Sequence, residues 1–354
     1  MSPSFRIGRV SPSMPSETSG ISVLVCAHNA AARLPATLRH LAAQQTPPGL
    51  PWEVLVIDNA STDDTAATAR SGWPPGAPAR LRVVTEPNPG LRRARECGLR
   101  ESCWPLVAFI DDDNWLAPDY LERAARLMTD HPEVAACGGR SEAVCEVPPP
   151  DWFPRHAHAY AVGPQGGGGP DEPGPRSQLW GAGLVLRRSA LETLREGGFQ
   201  PLSMGRTLGR LEAGEDTELC LALRLAGWQL WYDPGLRLDH WIPRSRLEWT
   251  YLRRLNRGFG ATFLDPYWHE LDPKWRGVPA WRRTWLMAVL RELRILPRWM
   301  AHWPRTWRRR GGEGDPRILE VEQALGRWAV LARTAGTFDD HCRAIRHAPW
   351  RRHH

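Results

Sequence analysis

From Ile21 onward, short apolar runs alternate with stretches whose apolar residues recur every three or four positions. Ile21 to Ala27 is apolar and rich in β-branched residues, and Arg33 to Gln45 follows with Leu34, Leu38 and Leu41 on one helical face. Val54 to Ile57 is a second strand ended by Asp58-Asn59-Ala60, and Ser61 with Asp64 three residues on predicts a capped helix through Arg70. Leu81 to Val84, a helix over Gly90 to Arg100, the wholly apolar Leu106 to Ile110, and a helix over Pro118 to Thr129 with proline at its start continue the alternation. Strands separated by helices require an α/β fold with a mainly parallel sheet, and ligands are expected at the carboxyl ends of the strands. Asp58 and Asp111 to Asp113 sit at such ends.

Beyond Gly139 the alternation lapses. Pro148 to Pro150, Gly166 to Gly169, Pro170, Pro173 and Pro175 sustain neither helix nor central strand, so residues 148–178 read as a long loop. Its Trp152, Phe153 and Tyr160 either line a groove or belong to a mobile insertion. Gln178 to Arg187 reads as a strand whose glycines allow close approach of a ligand or another backbone. Gly214 opens a helix running to Ala226, with Gly227 placed to end it, so Glu215 and Asp216 stand at the positive end of a helix dipole, which favours ionised carboxylates. Leu230 to Asp233 and Leu236 to His240 read as short strands joined at Pro234-Gly235.

With 354 residues, 42% of them hydrophobic, the chain has ample material for a core and for one large domain with an appendage, or two domains. The seven cysteines are scattered with no CxxC pair, which indicates neither a disulfide framework nor a zinc site and fits a reducing cytoplasm. Residues 1–20 lack an apolar h-region and are expected to be a disordered tail; no run of 18 apolar residues predicts a membrane span. The net charge of +7 is unevenly spread: residues 1–240 hold 23 Lys+Arg against 28 Asp+Glu, and residues 241–354 hold 23 against 11. The C-terminal region, 246–354, is therefore basic, and residues 241–354 carry 11 of the 19 tryptophans. There Trp281, Trp285, Val289, Leu293 and Leu296 fall on one helical stripe with Arg283, Arg291 and Arg294 opposite, and Trp299, Trp303 and Trp307 follow among arginines. The stripe suits either a membrane interface or packing on the preceding domain, as Ile318, Val321, Leu325 and Trp328 do in a later helix.

Three successive carboxylates, Asp111, Asp112 and Asp113, are costly at a strand end unless a cation or hydrogen-bond donors compensate them, and such ligands suit Mg²⁺ or Mn²⁺. Alone, the triplet is equally an acidic turn. It has company, however: Val25-Cys26-Ala27-His28-Asn29, Ile57 to Thr65, Asn88-Pro89-Gly90 with Ala94-Arg95, and then the triplet follow in order. Over residues 21–258 this series resembles a family 2 glycosyltransferase. The resemblance implies a GT-A fold over 21–245, with a nucleotide-binding half (21–140) and an acceptor half (141–245). It also implies a nucleoside-diphosphate sugar held by Ala27, Asn29, Asp58, Asn59, Asn88, Arg95, Asp111, Asp112, Trp180 and Gly181.

By the same resemblance Asp58 contacts the base, Asp111 and Asp112 hold the ribose and organise the turn, and Asp113 ligates the metal, with His240 a candidate ligand or a structural histidine. Asp216 is the expected catalytic base, beside Glu215. Two departures stand out: Asn59 replaces a frequent Asp, and Glu96 stands where Asn is more usual; Arg95 is either a phosphate or base contact or part of a solvated helix face. No Gln-x-x-Arg-Trp follows, which argues for addition of single sugars, and the resemblance implies an inverting, metal-dependent transfer to an acceptor hydroxyl, in polysaccharide or glycolipid biosynthesis. The expected location is cytoplasmic, with peripheral attachment to the inner face of the plasma membrane if the basic helix meets anionic lipid. A nucleotidyltransferase would instead carry a Gly-rich, basic phosphate loop where this chain has Ala27 to Ala31. The pI of 9.3 raises nucleic-acid binding, but the acidic first two-thirds argues against it.

Overall fold

The computed structural model describes residues 20–165, 169, 171–203, 214–304 and 312–352, so the expected tail lies outside them except for Gly20. One nine-stranded sheet organises the first 242 residues: β1 (Ile21–Ala27), β2 (Trp52–Asn59), β3 (Arg80–Glu86), β4 (Leu106–Asp111), β5 (Asn114–Leu116), β6 (Val134–Cys145), β7 (Gly174–Pro175), β8 (Leu184–Arg187) and β9 (Gln229–Ile242). Their order is β3-β2-β1-β4-β8-β6-β9-β5, with β7 on β9. β1, β2, β3, β4, β6 and β9 run one way, so the sheet is mainly parallel, as expected.

Alternate residues of the central strands enter two different layers, which is why these strands are apolar throughout. Val23, Val25, Val54, Val56, Ala108 and Ile110 meet α1 (Leu34–Ala42), α2 (Thr65–Gly72) and α4 (Tyr120–Asp130). Leu24, Leu55, Ile57, Val107 and Phe109 meet α3 (Leu91–Glu101) on the other face, in the layer that also holds α6 (Arg188–Glu196) and α7 (Glu215–Leu225). Between β6 and β7 lies α5 (Phe153–His156), and the C-terminal region folds as α8 (Trp249–Gly260), α9 (Asp265–Leu271), α10 (Trp285–His302), α11 (Pro316–Thr334) and α12 (Phe338–Arg346).

The C-terminal helices share the core of the α/β domain. Tyr267 of α9, Ile345 of α12, Ala348 and Trp350 belong to the same cluster as α7, and Trp350 stands edge-on to Phe199. α8 and α11 approach through glycine: a Cβ on Gly260 would lie 1.9 Å from the Gln323 carbonyl, and one on Gly326 would lie 2.0 Å from that of Arg257. At that contact the buried Glu322 is held by Arg253 and Arg257, each within 2.8 Å.

Several expectations are corrected. The strand expected over Gln178 to Arg187 is only Leu184–Arg187, because Trp180 to Gly183 turn toward the site instead. The two short strands expected around Pro234-Gly235 are one strand, β9; Gly138 pairs with Tyr232 and Arg140 with Arg237, so the proline sits in a bulge that needs no ladder donor. Trp152, Phe153 and Tyr160 line no groove; each is 4% exposed and packs with Ile242, Leu247, Leu252 and Leu319. Asp64 precedes α2 without capping it through its side chain. The stripe expected on α10 is split, since Trp281 precedes the helix while Trp285 and Val289 pack inward and Trp285 Nε1 donates to the Leu331 carbonyl at 2.8 Å. The small Ala288, fully buried, sets the rotation of α10 and turns Leu286 and Leu290 outward. Trp307 lies outside the described residues.

The bulge generates a stability test. A Cβ on Gly139 would lie 1.7 Å from the Leu236 carbonyl oxygen, so the β6–β9 ladder must shift to admit it. Gly139→Ala is expected to cost about 1–3 kcal/mol, read as a lowered urea midpoint with unchanged slope.

Candidate active site

The parallel strands bring their carboxyl ends to one edge of the sheet, and the order β3-β2-β1-β4 puts the topological switch between β1 and β4. Antiparallel β8 begins at that edge, so the turn before it, with Trp180 and Gly181, arrives there too. β5 and β9 pair with Asn114 opposite His240, so sheet register carries the histidine to the acidic turn.

Asp112 is buried, and its carboxylate takes both forks of Arg33, at 2.6 and 2.8 Å. Its carbonyl accepts from the Thr37 hydroxyl at 2.9 Å. Arg33 also donates to the carbonyls of His28 and Asn29, at 3.0 and 2.8 Å, so one guanidinium fastens the β1–α1 turn to the acidic turn. Burial pushes Asp112 up, to about 6, and Arg33 only partly offsets it. Asp112 thus organises the turn, and its carboxylate is already engaged where ribose contact was expected.

Asp113 is more deeply buried. Its Oδ2 accepts from Arg246 at 2.9 Å, and its Oδ1 accepts from the Asn114 amide at 3.2 Å and lies 3.5 Å from His240 Nε2. Burial disfavours its charge, but His240 and Arg246 outweigh burial and hold it well below the usual carboxylate range. One carboxylate oxygen beside one imidazole nitrogen fits Mg²⁺ or Mn²⁺ whose other positions go to phosphate and water. Among the described residues no group of three His, Cys, Asp or Glu side chains could hold such an ion by itself.

A second acidic centre stands at the start of α7. Asp216 accepts from the Gly181 N–H at 2.7 Å through Oδ2 and from the Thr217 N–H at 2.8 Å through Oδ1. A Cβ at 181 would lie 2.9 Å from Arg95 Nη2 and 3.4 Å from Asp216 Oδ2, so a side chain there would displace the guanidinium. Arg95 reaches this point from α3, its guanidinium 4.8 Å above the Phe109 ring and 3.8 Å from Glu215. Burial works against its charge, yet Asp111 and Glu215 outweigh burial and raise its pKa. The solvated helix face considered for Arg95 is therefore replaced by a largely buried guanidinium packed between the Phe109 ring and Glu215. Glu215 itself is pushed up by burial, with Arg95 opposing.

Among the described residues, Asp58 Oδ1, Glu215 Oε1 and His240 Nδ1 of this edge are buried without a hydrogen-bond partner. Asp58, level with Ala27 across β1 and β2, keeps an acceptor for a ligand donor. Asn59 does not: its amide donates to the Glu86 and Asn88 carbonyls and its oxygen accepts from the Gly90 N–H, so it braces the turn after β3. Asn88 donates to Glu86, and Asn29, at φ 48°, accepts from the Thr62 N–H. Trp180 is half-buried, its N–H donating to Gln165. Arg33 and Arg246 escaped the sequence reading; the only signal for them was the triplet's own need for cations.

Residues 22–195 match the model of Glycosyl transferase family 2. The chain is 29% identical over 247 residues to the succinoglycan biosynthesis protein ExoM of Rhizobium meliloti, covering 69% of this chain and 75% of that one. It is 28% identical over 126 residues to the putative glycosyltransferase EpsH of Bacillus subtilis, 36% of this chain and 35% of that one, so it spans about a third of that relative. Among solved structures, the mannosyltransferase PcManGT from Pyrobaculum calidifontis, in complex with GDP-Man and Mn²⁺, aligns over 90% of this chain and 75% of its own at 19% identity and a TM-score of 0.48.

Removing Arg33 leaves Asp112 buried and unpaired. Arg33→Ala is expected to cost about 3 kcal/mol in urea unfolding. Arg92→Ala, which breaks a surface pair with Glu96, is expected to cost under about 0.5 kcal/mol.

Proposed function

We propose that the chain is a family 2 glycosyltransferase with the GT-A fold, and that it moves one hexosyl unit from a nucleoside-diphosphate sugar to an acceptor hydroxyl with inversion. The acceptor is a growing saccharide in polysaccharide or glycolipid biosynthesis, carried on a lipid at the inner face of the plasma membrane. The observation that carries this reading is the Asp113–His240 pair at the carboxyl edge of the sheet together with the Glu215–Asp216 helix start, with Asp216 held by the Gly181 N–H and Glu215 facing Arg95. Kinship with a succinoglycan biosynthesis protein supports the polysaccharide setting.

In this reading Asp58 accepts from the base through its unpartnered oxygen, and Asp111 faces the ribose. Asp113 and His240 would hold Mg²⁺ or Mn²⁺, and such an ion would supply positive charge to the leaving diphosphate. Arg246, already on Asp113, adds a fixed positive charge at the same corner. Asp216 takes the proton of the acceptor hydroxyl as that oxygen bonds to the anomeric carbon, and the carbon–diphosphate bond breaks with its electron pair leaving on the nucleoside diphosphate. The Gly181 and Thr217 N–H groups fix the Asp216 carboxylate and leave each oxygen a further lone pair for that proton. Trp180, beside Gly181, stands along the donor sugar and acceptor.

A panel of nucleotide sugars, scored by thermal stabilisation with and without Mn²⁺, is expected to give a metal-dependent shift for one base class. Asp113→Ala is expected to lose that shift and all transfer; full activity in chelator would sink the metal role. Asp216→Asn is expected to keep donor binding while transfer falls at least about a hundredfold. If Glu215→Gln gave that loss and Asp216→Asn did not, the base would be Glu215.

A further inference from the structure

We propose that the outward face of α10 is a docking surface for an anionic lipid bilayer. Leu286, Leu290, Leu293 and Met300 are between 38% and 58% exposed, and Pro297 is exposed between them. At 100° per residue these five fall within an arc of about 80°, on the side away from the buried Ala288. Trp281, 58% exposed, precedes the strip and Trp303, 38% exposed, follows it, where an indole would lie at headgroup depth. Arg294 borders the strip, with Arg298 beyond it reaching Glu320 at 2.9 Å. A continuous apolar strip along an 18-residue helix differs from scattered surface leucines.

Charge selects the occupant. Residues 276–303 contain six arginines and one glutamate, a net +5, and Arg276, Arg282 and Arg294 among them are exposed. Two copies of such a face would repel, whereas phosphate headgroups would meet the guanidiniums while the leucines enter the acyl boundary. Among the described residues no helix is long and apolar enough to cross a membrane, so α10 would lie in the interface plane. The choice of lipid rests partly on the lipid-linked acceptor of the proposed function, which such docking would bring within reach.

The test is co-sedimentation of the full chain with phosphatidylglycerol–phosphatidylcholine vesicles and with phosphatidylcholine vesicles, at low and high salt. Binding is expected to favour the anionic vesicles, to weaken with salt, and to fall at least about tenfold in Leu290→Glu/Leu293→Glu at unchanged melting temperature. Arg294→Ala is expected to weaken it about fivefold and serves if the double variant misfolds. No binding by the native chain, or equal binding by both variants, overturns the proposal. So does a dimer in lipid-free light scattering that the leucine substitutions dissolve, which would assign the face to a second copy. Nucleoside-diphosphate release from a donor in lipid-free solution is read alongside: its absence with intact vesicle binding would count against the transferase reading alone.

Discussion

The structure depends on the compensation of buried carboxylates at one sheet edge by arginines drawn from distant parts of the chain. Arg33 forks Asp112, Arg246 holds Asp113, and Arg95 faces Glu215. An ion taken from water into a protein interior costs several kcal/mol, and only close partners recover it. Each arginine therefore also fixes geometry. Arg33 ties the first turn to the acidic turn, Arg246 ties the segment after β9 to the same turn, and Arg95 ties α3 to α7. What compensation leaves over is informative: among the described residues, Asp58, Glu215 and His240 each keep a buried atom with no hydrogen-bond partner.

Backbone proximity does the rest of the positioning. Gly181 brings a peptide N–H to Asp216 because no side chain intervenes, and Gly139 lets β9 bulge against β6 before running on to His240. The C-terminal helices bear on the site from behind. Glu218, one turn beyond Glu215, is buried and accepts from the Leu202 and Ser203 N–H groups and from the Tyr267 hydroxyl, so α9 and the segment after α6 are both pinned to α7. This makes the basic third part of the scaffold, while the outward face of α10 stays uncovered.

Much of this was legible in the residues. The four leading strands, the helices between them and both acidic centres follow from apolar periodicity and from acids at strand ends and at a helix start. The failures share a cause: local pattern does not report partners far away in sequence. Trp152, Phe153 and Tyr160 looked like groove residues in a Pro-rich loop, yet Leu319 and Ile242 bury them. Asn59 looked like a ligand contact until the Glu86–Gly90 turn was seen to use its whole amide. The stripe on α10 was read about one residue out of rotation, because only Ala288 against its neighbours settles which side faces in. Arg33 and Arg246 are ordinary basic residues until the fold puts acids beside them.

In the proposed function the Asp113–His240 corner takes a cation that arrives with a nucleoside diphosphate. The most direct test of that role is electron paramagnetic resonance of Mn²⁺ titrated into the protein with and without UDP or GDP. The account predicts Mn²⁺ binding that tightens with one of these diphosphates and a nitrogen coupling on the bound ion that disappears in His240→Gln. Mn²⁺ binding indifferent to both diphosphates, or a bound ion with no nitrogen coupling, would contradict it.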